Sequence, residues 1–293
     1  MRKTVSLFVV VLSFLSLFSV TALRVVKDQY GAIQRQGHST VTAHAPQAVK
    51  EHQISVAYAQ QLIRQLGGVQ AASRMLYRVT KPMASQPHVT FGNAQTTSSN
   101  WGGYVADTSG TGIHVDSSFS EFNVSRAAGT DTASWVGVGG FHGGNLAQAG
   151  IDQSLMESWY EFFPNPPVFL YSINSGDEMY DLVLRDRSNG LWLVFIEDLT
   201  TGVYYTNEFS FNPDQTTAEW IVEVQSNGPV GSFAPVNFTF DQFGDGSSSQ
   251  PMTSSEASTL WQVSLRSPRG GSVCPSGLTN PGTIGVSFSA APC

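Results

Sequence analysis

The stretch TASWVGVGGFHGGNLAQAGIDQSLMESWYEFFP, residues 132–164, decides which fold this chain adopts. It contains three short runs, TASWVGVG (132–139), LAQAGID (146–152) and ESWYEFF (157–163). Their β-branched and aromatic residues, broken by Gly, Asn, Asp and Ser, read as successive strands. Side chains alternate between the two faces of a strand. Gln148, Gly150 and Asp152 therefore share one face of the second run, and Glu157, Trp159, Glu161 and Phe163 share one face of the third. A solvated face rarely needs large aromatics, whereas a substrate cleft does. The alternative is that Trp159 and Phe163 belong to the core and the acids to an edge.

The same pattern continues on both sides. From Trp101 onward, runs such as GIHVDSSFSEFNV, VFLYSI, LWLVFIEDL, VNFTF and LWQVSL repeat it, and EDLTTGVYYTNEFSF reads as a hairpin through Thr200-Thr201-Gly202. About a dozen short strands with no convincing helix predict an all-β antiparallel sandwich. In TAEWIVEV (217–224), Trp220, Val222 and Val224 take one face, and Glu219, Ile221 and Glu223 the other. The two glutamates stand roughly 13 Å apart. Taken alone, they also fit the wet face of an antiparallel sheet.

Ahead of the strands the composition changes. Arg2 and Lys3, then the apolar VSLFVVVLSFLSLFSV, then Val20 and Ala22, read as an export signal over residues 1–22, cleaved after Ala22. The alternative is an uncleaved signal-anchor, since the apolar stretch is nearly long enough to span a membrane. Residues 23–97 read as a propeptide and linker, and 98–293 as the catalytic domain. Within the propeptide, Ile54, Ala57, Tyr58, Leu62 and Leu66 recur at helical spacing up to Gly67-Gly68, and a second short helix is expected over 69–78. The stretch KPMASQPHVTFGNAQTTSSN (81–100) reads as a linker.

Charge divides the same way. Residues 1–97 hold ten Lys and Arg against Asp28 and Glu51, a net +8; the rest holds five arginines and twenty acids, a net −15. An acidic, lysine-free domain is a poor partner for nucleic acid. No later run is apolar enough to cross a membrane, so no stable membrane association is expected after signal cleavage. Export permits a disulfide between the only two cysteines, Cys274 and Cys293. The expected protein is secreted, extracellular and monomeric.

The chemistry is narrowed first by what is missing. There is no HExxH and no Cys/His metal spacing, so no metal or other cofactor is expected. His114 and His142 lie in no Ser-His-Asp context, and there is no GxSxG elbow. Carboxylates and amides remain.

Five segments, SSNWGGYV (98–105), ASWVGVGG (133–140), LAQAGID (146–152), SWYEFFP (158–164) and TAEWIVEV (217–224), occur in this order. The series resembles the glutamic peptidases, or eqolisins, over essentially the whole chain from Ser98. The resemblance implies a sandwich of two large antiparallel sheets of the concanavalin-like type, made as a secreted pre-proenzyme and active on polypeptides in acid. It places the catalytic pair on Gln148 and Glu223, with Trp135, Asp152, Trp159 and Glu161 in support. Glu157 and Glu219 lie beside them in the expected cleft. Two positions depart from the fungal pattern: Gly139 and Glu157 each stand where those members carry aspartate. The long leader reads as an intramolecular inhibitor of a zymogen. A glycoside hydrolase on a similar sandwich and a non-catalytic carbohydrate-binding module are the competing readings. The first normally needs two carboxylates, whereas the matched motifs supply an acid and an amide.

Overall fold

The computed structural model describes residues 49–67, 93–225, 228–245, 249–283 and 285–293, all within one compact unit, His38–Cys293. The expected signal peptide and the second leader helix lie outside these residues. Among the described residues no helix is long and apolar enough to cross a membrane.

Among the described residues seventeen strands alternate as their sequences require. One sheet runs β8 (Val168–Ser172), β7 (Glu157–Phe163), β6 (Leu146–Asp152), β5 (Thr132–Gly139), β12 (Thr217–Val224), β3 (Trp101–Asp107), β15 (Thr259–Arg266) and β2 (Asn93–Ser98). The other runs β1 (Lys50–His52), β11 (Val203–Ser210), β10 (Trp192–Asp198), β9 (Glu178–Arg185), β4 (Ser117–Asn123), β13 (Val236–Gly244) and β17 (Ser287–Pro292), with β14 (Ser249–Pro251) also on β13. Strand β16 (Ser272–Pro275) pairs with both β15 and β17, joining the sheets along one edge.

Three apolar layers follow from the alternation. Between the sheets lie Val136, Ala149, Tyr160, Phe162, Trp220 and Val222 from the first, and Met179, Val183, Trp192, Val194 and Phe238 from the second. On the outer face of the first sheet lie Val105, Trp135, Leu146, Trp159, Ile221 and Val263. On the outer face of the second lie Phe119, Leu182, Leu184, Leu193 and Phe195, covered by helix α1 (Val56–Gly67) through Ala59, Leu62 and Ile63. The all-antiparallel reading holds apart from one ladder: β2 runs parallel to β15. That strand falls within the stretch read as a linker, because its polar NAQTTS pairs at an edge, where alternation of apolar residues is not required.

The hairpin forms at the expected turn. Asp198 Oδ1 accepts from the amides of Thr200 at 2.9 Å and Thr201 at 3.1 Å, and Gly202 takes φ +75°. Cys274 and Cys293 are bonded, with Cα atoms 5.8 Å apart. The bridge ties the chain end to β16, at the joint of the two sheets. Replacing both cysteines by alanine should cost about 3 kcal/mol, the chain-entropy value for a loop of this size. Chemical denaturation with reading of the midpoint checks this; an unchanged midpoint would show that the joint holds without the bridge.

Candidate active site

The outer face of the first sheet is assembled by register. Ile221 of β12 lies opposite Trp135 of β5, Trp135 opposite Gly150 of β6, and Gly150 opposite Trp159 of β7. Gly150 separates the two indoles because nothing larger fits: a Cβ there would stand 2.5 Å from Trp135 Cβ and 2.3 Å from the Ser134 carbonyl oxygen. One row along, Gln148 lies directly opposite Glu161. In the other direction, Glu223 lies opposite Ala133 and Trp101, and Ala133 opposite Asp152.

Glu223 is held by fixed donors. Asn100 Nδ2 donates to its Oε1 at 3.0 Å, and Trp135 Nε1 donates to its Oε2 at 3.0 Å. Trp101 packs edge-on against Trp135, with ring centroids 5.0 Å apart. The Asn100 amide is itself oriented: Ser98 Oγ donates to its Oδ1 at 3.0 Å, and accepts from the Trp101 amide at 3.1 Å. Burial pushes the Glu223 carboxyl above its ordinary value, and the hydrogen bonds of Asn100, Trp135 and Trp101 only partly offset this. The side chain is still partly exposed.

Gln148 is almost wholly buried and donates through Nε2 to Glu161 Oε2. Its Oε1 is buried without a partner among the described residues. An amide has two N–H donors, so one remains for a ligand. Burial first, and then the charge of Glu223, push the Glu161 carboxyl up to about 8, against the pull of the Gln148 hydrogen bond. Glu161 is therefore a neutral acid across the whole acid range, and Glu223 is close enough to act on it electrostatically.

The other residues singled out from sequence divide into two groups. Trp135 and Trp159 lie on this face, both buried, with the Trp159 Nε1 unpartnered among the described residues. Glu157 shares the row of Asp152, and burial and the Asp152 charge raise its pKa. Asp152 itself serves the backbone: its Oδ1 accepts from the amides of Ser154 and Leu155, both at 2.9 Å, closing the turn into β7. Glu219 lies on the same face as Glu223 but at the far end. It is fully buried, and its pKa is pushed well up by burial and by the Asp214 and Asp107 charges, with Thr217 offsetting in part.

Two features escaped residue-by-residue reading. Asn100 and Trp101 stood inside the SSNWGGYV segment, but nothing local marks them as partners of a glutamate more than a hundred positions away. His142, exposed on its loop, pairs with Asp107 at 2.9 Å, and Trp261 Nε1 donates to the same Asp107 oxygen at 3.2 Å. The departure at Gly139 has a backbone cause. Its φ is +92°, and a Cβ would stand 2.3 Å from the Asp214 carbonyl oxygen, so no aspartate fits this conformation. Among the described residues no group of three His, Cys, Asp or Glu side chains is placed to hold a metal ion.

A two-sheet sandwich carrying a carboxylate, an amide and indoles on one outer face describes a small class of hydrolases. The sequence profile of the Peptidase A4 family matches residues 99–284, and the chain belongs to that family, the glutamic peptidases or eqolisins; it is a peptide hydrolase. Among solved structures, scytalido-glutamic peptidase with a transition state analog inhibitor is 23% identical, over 67% of this chain and 98% of that one, with a TM-score of 0.53. SCP-B, an eqolisin in complex with the tripeptide Ala-Ile-His, is 21% identical over the same shares, with a TM-score of 0.50. These likenesses establish the fold. No curated protein sequence matches the chain.

Proposed function

We propose that the protein is a secreted acid endopeptidase, made as a pre-proenzyme, in which Glu223 and Gln148 act on an attacking water. The observation that carries this reading is the setting of Glu223, a partly exposed carboxylate gripped by Asn100 and Trp135 beside the Gln148–Glu161 pair. Ionised Glu223 takes a proton from water as the water oxygen bonds to the scissile carbonyl carbon. The carbonyl π electrons move to oxygen, where the free N–H of Gln148 donates to the oxyanion. Glu223 returns its proton to the amide nitrogen, and the C–N bond breaks to give acid and amine. Neutral Glu161 holds the glutamine without adding a second negative charge beside the oxyanion.

The raised pKa of Glu223 sets the direction of the pH profile. The base must be ionised, so kcat/KM should climb with pH through a value above the ordinary 4.5. Glu161 keeps its proton up to about 8. The test is hydrolysis of a denatured protein and of a polysaccharide across pH 3–7, with peptides read by mass and chelator added in parallel. Peptide products in acid, unaffected by chelator, are expected; release of sugars without peptides would overturn the reading.

Gln148→Ala should lower kcat by a factor of about 100 or more, the cost of one oxyanion donor, with KM moving far less. A change confined to KM would make Gln148 a binding residue only. Polypeptides are the proposed substrates and the monomer the proposed working form. Secretion and maturation are read from the N-terminal sequence of the exported protein, expected to begin near residues 83–100. The leader is proposed to restrain the enzyme until that cut.

A further inference from the structure

Residues 49–67 lie on the sheet that does not carry Glu223. Strand β1 extends that sheet at its edge, with Lys50 opposite Ser210, Glu51 opposite Phe209 and His52 opposite Glu208. The Glu51 carboxylate accepts from Asn207 Nδ2 and, at 3.3 Å, from the Tyr205 hydroxyl. Helix α1 then lays Ala59, Leu62 and Ile63, at most 8% exposed, across Phe119, Leu182, Leu184, Leu193 and Phe195. Tyr58 donates its hydroxyl to Asp186, beside Ser188 at 3.2 Å. A lone twelve-residue helix is marginal in water, so α1 depends on this surface, and the surface depends on α1 to keep five large apolar side chains from solvent.

We propose that residues 49–67 are a structural subunit of the sandwich, which stays docked on the second sheet after the chain is cut between 68 and 92 and leaves the catalytic face open. The proposal rests on the leader reading only for the cut itself. The contacts are those of a domain interior: a strand ladder, an apolar face and two polar anchors. They touch neither Glu223 nor Gln148. Restraint of catalysis by the leader is then a task for its remaining residues, and this segment serves folding and cover.

The experiment uses the full chain with a site-specific protease sequence inserted between residues 80 and 90. After cutting at neutral pH, size exclusion and native mass should find the N-terminal fragment with the sandwich, one to one. Leu62→Asp with Ile63→Asp should raise the released fraction about tenfold or more, since the buried face then carries charge. If that variant does not fold, Tyr58→Phe, which removes only the hydroxyl contact with Asp186, should still raise release measurably. A synthetic peptide of residues 49–67, added in excess to cut enzyme, should leave peptide hydrolysis unchanged. A fragment that elutes alone while the sandwich stays folded overturns the proposal. So does inhibition by the peptide, which would place its action at the catalytic face. Absence of any peptidase activity would instead strike the functional reading and leave the elution result standing.

Discussion

Glu223→Gln should remove peptidase activity by a factor of about 100 to 10,000 in kcat while the fold survives. The amide has the size of the carboxylate but cannot take a proton from water, and general base catalysis is worth about this much. The structural cost is local. Asn100 and Trp135 each donate to one carboxylate oxygen, and an amide offers only one acceptor, so one of the two donors is left without its bond. That costs about 1–3 kcal/mol, against a total stability of about 5–15 kcal/mol for a typical domain. The control is Glu219→Gln, at the other end of the same strand face. Register sets Glu219 in the row of Gly137 and Gln148, but among the described residues no hydrogen bond joins it to the Gln148–Glu161 pair, and its substitution should change kcat only a few-fold. Steady-state kinetics on a fluorogenic peptide, with circular dichroism of each variant, separates the cases. Near-normal turnover in Glu223→Gln with a dead Glu219→Gln would assign the base to the wrong glutamate.

The second large effect is a loss of stability as pH rises. Asp181 lies between the sheets, fully buried, with neither carboxyl oxygen partnered among the described residues. Asp241 is also fully buried, with one oxygen accepting from Ser120 Oγ at 2.6 Å and the other unpartnered among them. Burial pushes both carboxyls, and that of Glu219, well above their ordinary values. Folding therefore holds protons that the unfolded chain releases above about pH 4. A group raised in the folded state gives its full stability below its unfolded pKa and loses it as pH climbs towards its folded one. Each such group costs about 1.4 kcal/mol per pH unit in that window, and Glu161, raised to about 8, adds to them. Asp107 works in the opposite sense. Burial raises it, but hydrogen bonds with Ser109, Trp261 and His142 outweigh that, so its contribution is lost as pH falls.

Stability should therefore decline as pH climbs above the ordinary carboxylate range. Denaturation midpoints from pH 3 to 8 should fall steadily above about 4. Asp181→Asn keeps the shape, removes one titrating proton and should lower the slope by about 1.4 kcal/mol per pH unit. A stability that is flat or rising from pH 4 to 7, or an Asp181→Asn profile parallel to wild type, would sink the account. The proposed activity in acid accords with this build, because there the buried carboxyls stay neutral.

Alternation within each strand was enough to place Gln148, Glu161, Trp159, Glu219 and Glu223 on one side of their strands, and Trp220, Val222 and Val224 on the other. It also located the Thr200–Gly202 hairpin and the amphipathic leader helix, because these depend on neighbours within a few residues. The position of five segments in order identified the family, which no single face could do. Register between strands was not legible. That Trp135 and Asn100 both grip Glu223 follows from which strands lie side by side. Those pairings join positions 88 and 123 residues apart, through long-range contacts that no local pattern encodes. Burial was decided at the same level. Asp181 stands in YDLVL on the second sheet, and only the first sheet laid over it makes it a trapped carboxyl. The leader helix was legible as a helix from its own spacing, but which sheet it covers depends on which outer face remains apolar once the two sheets have closed on each other.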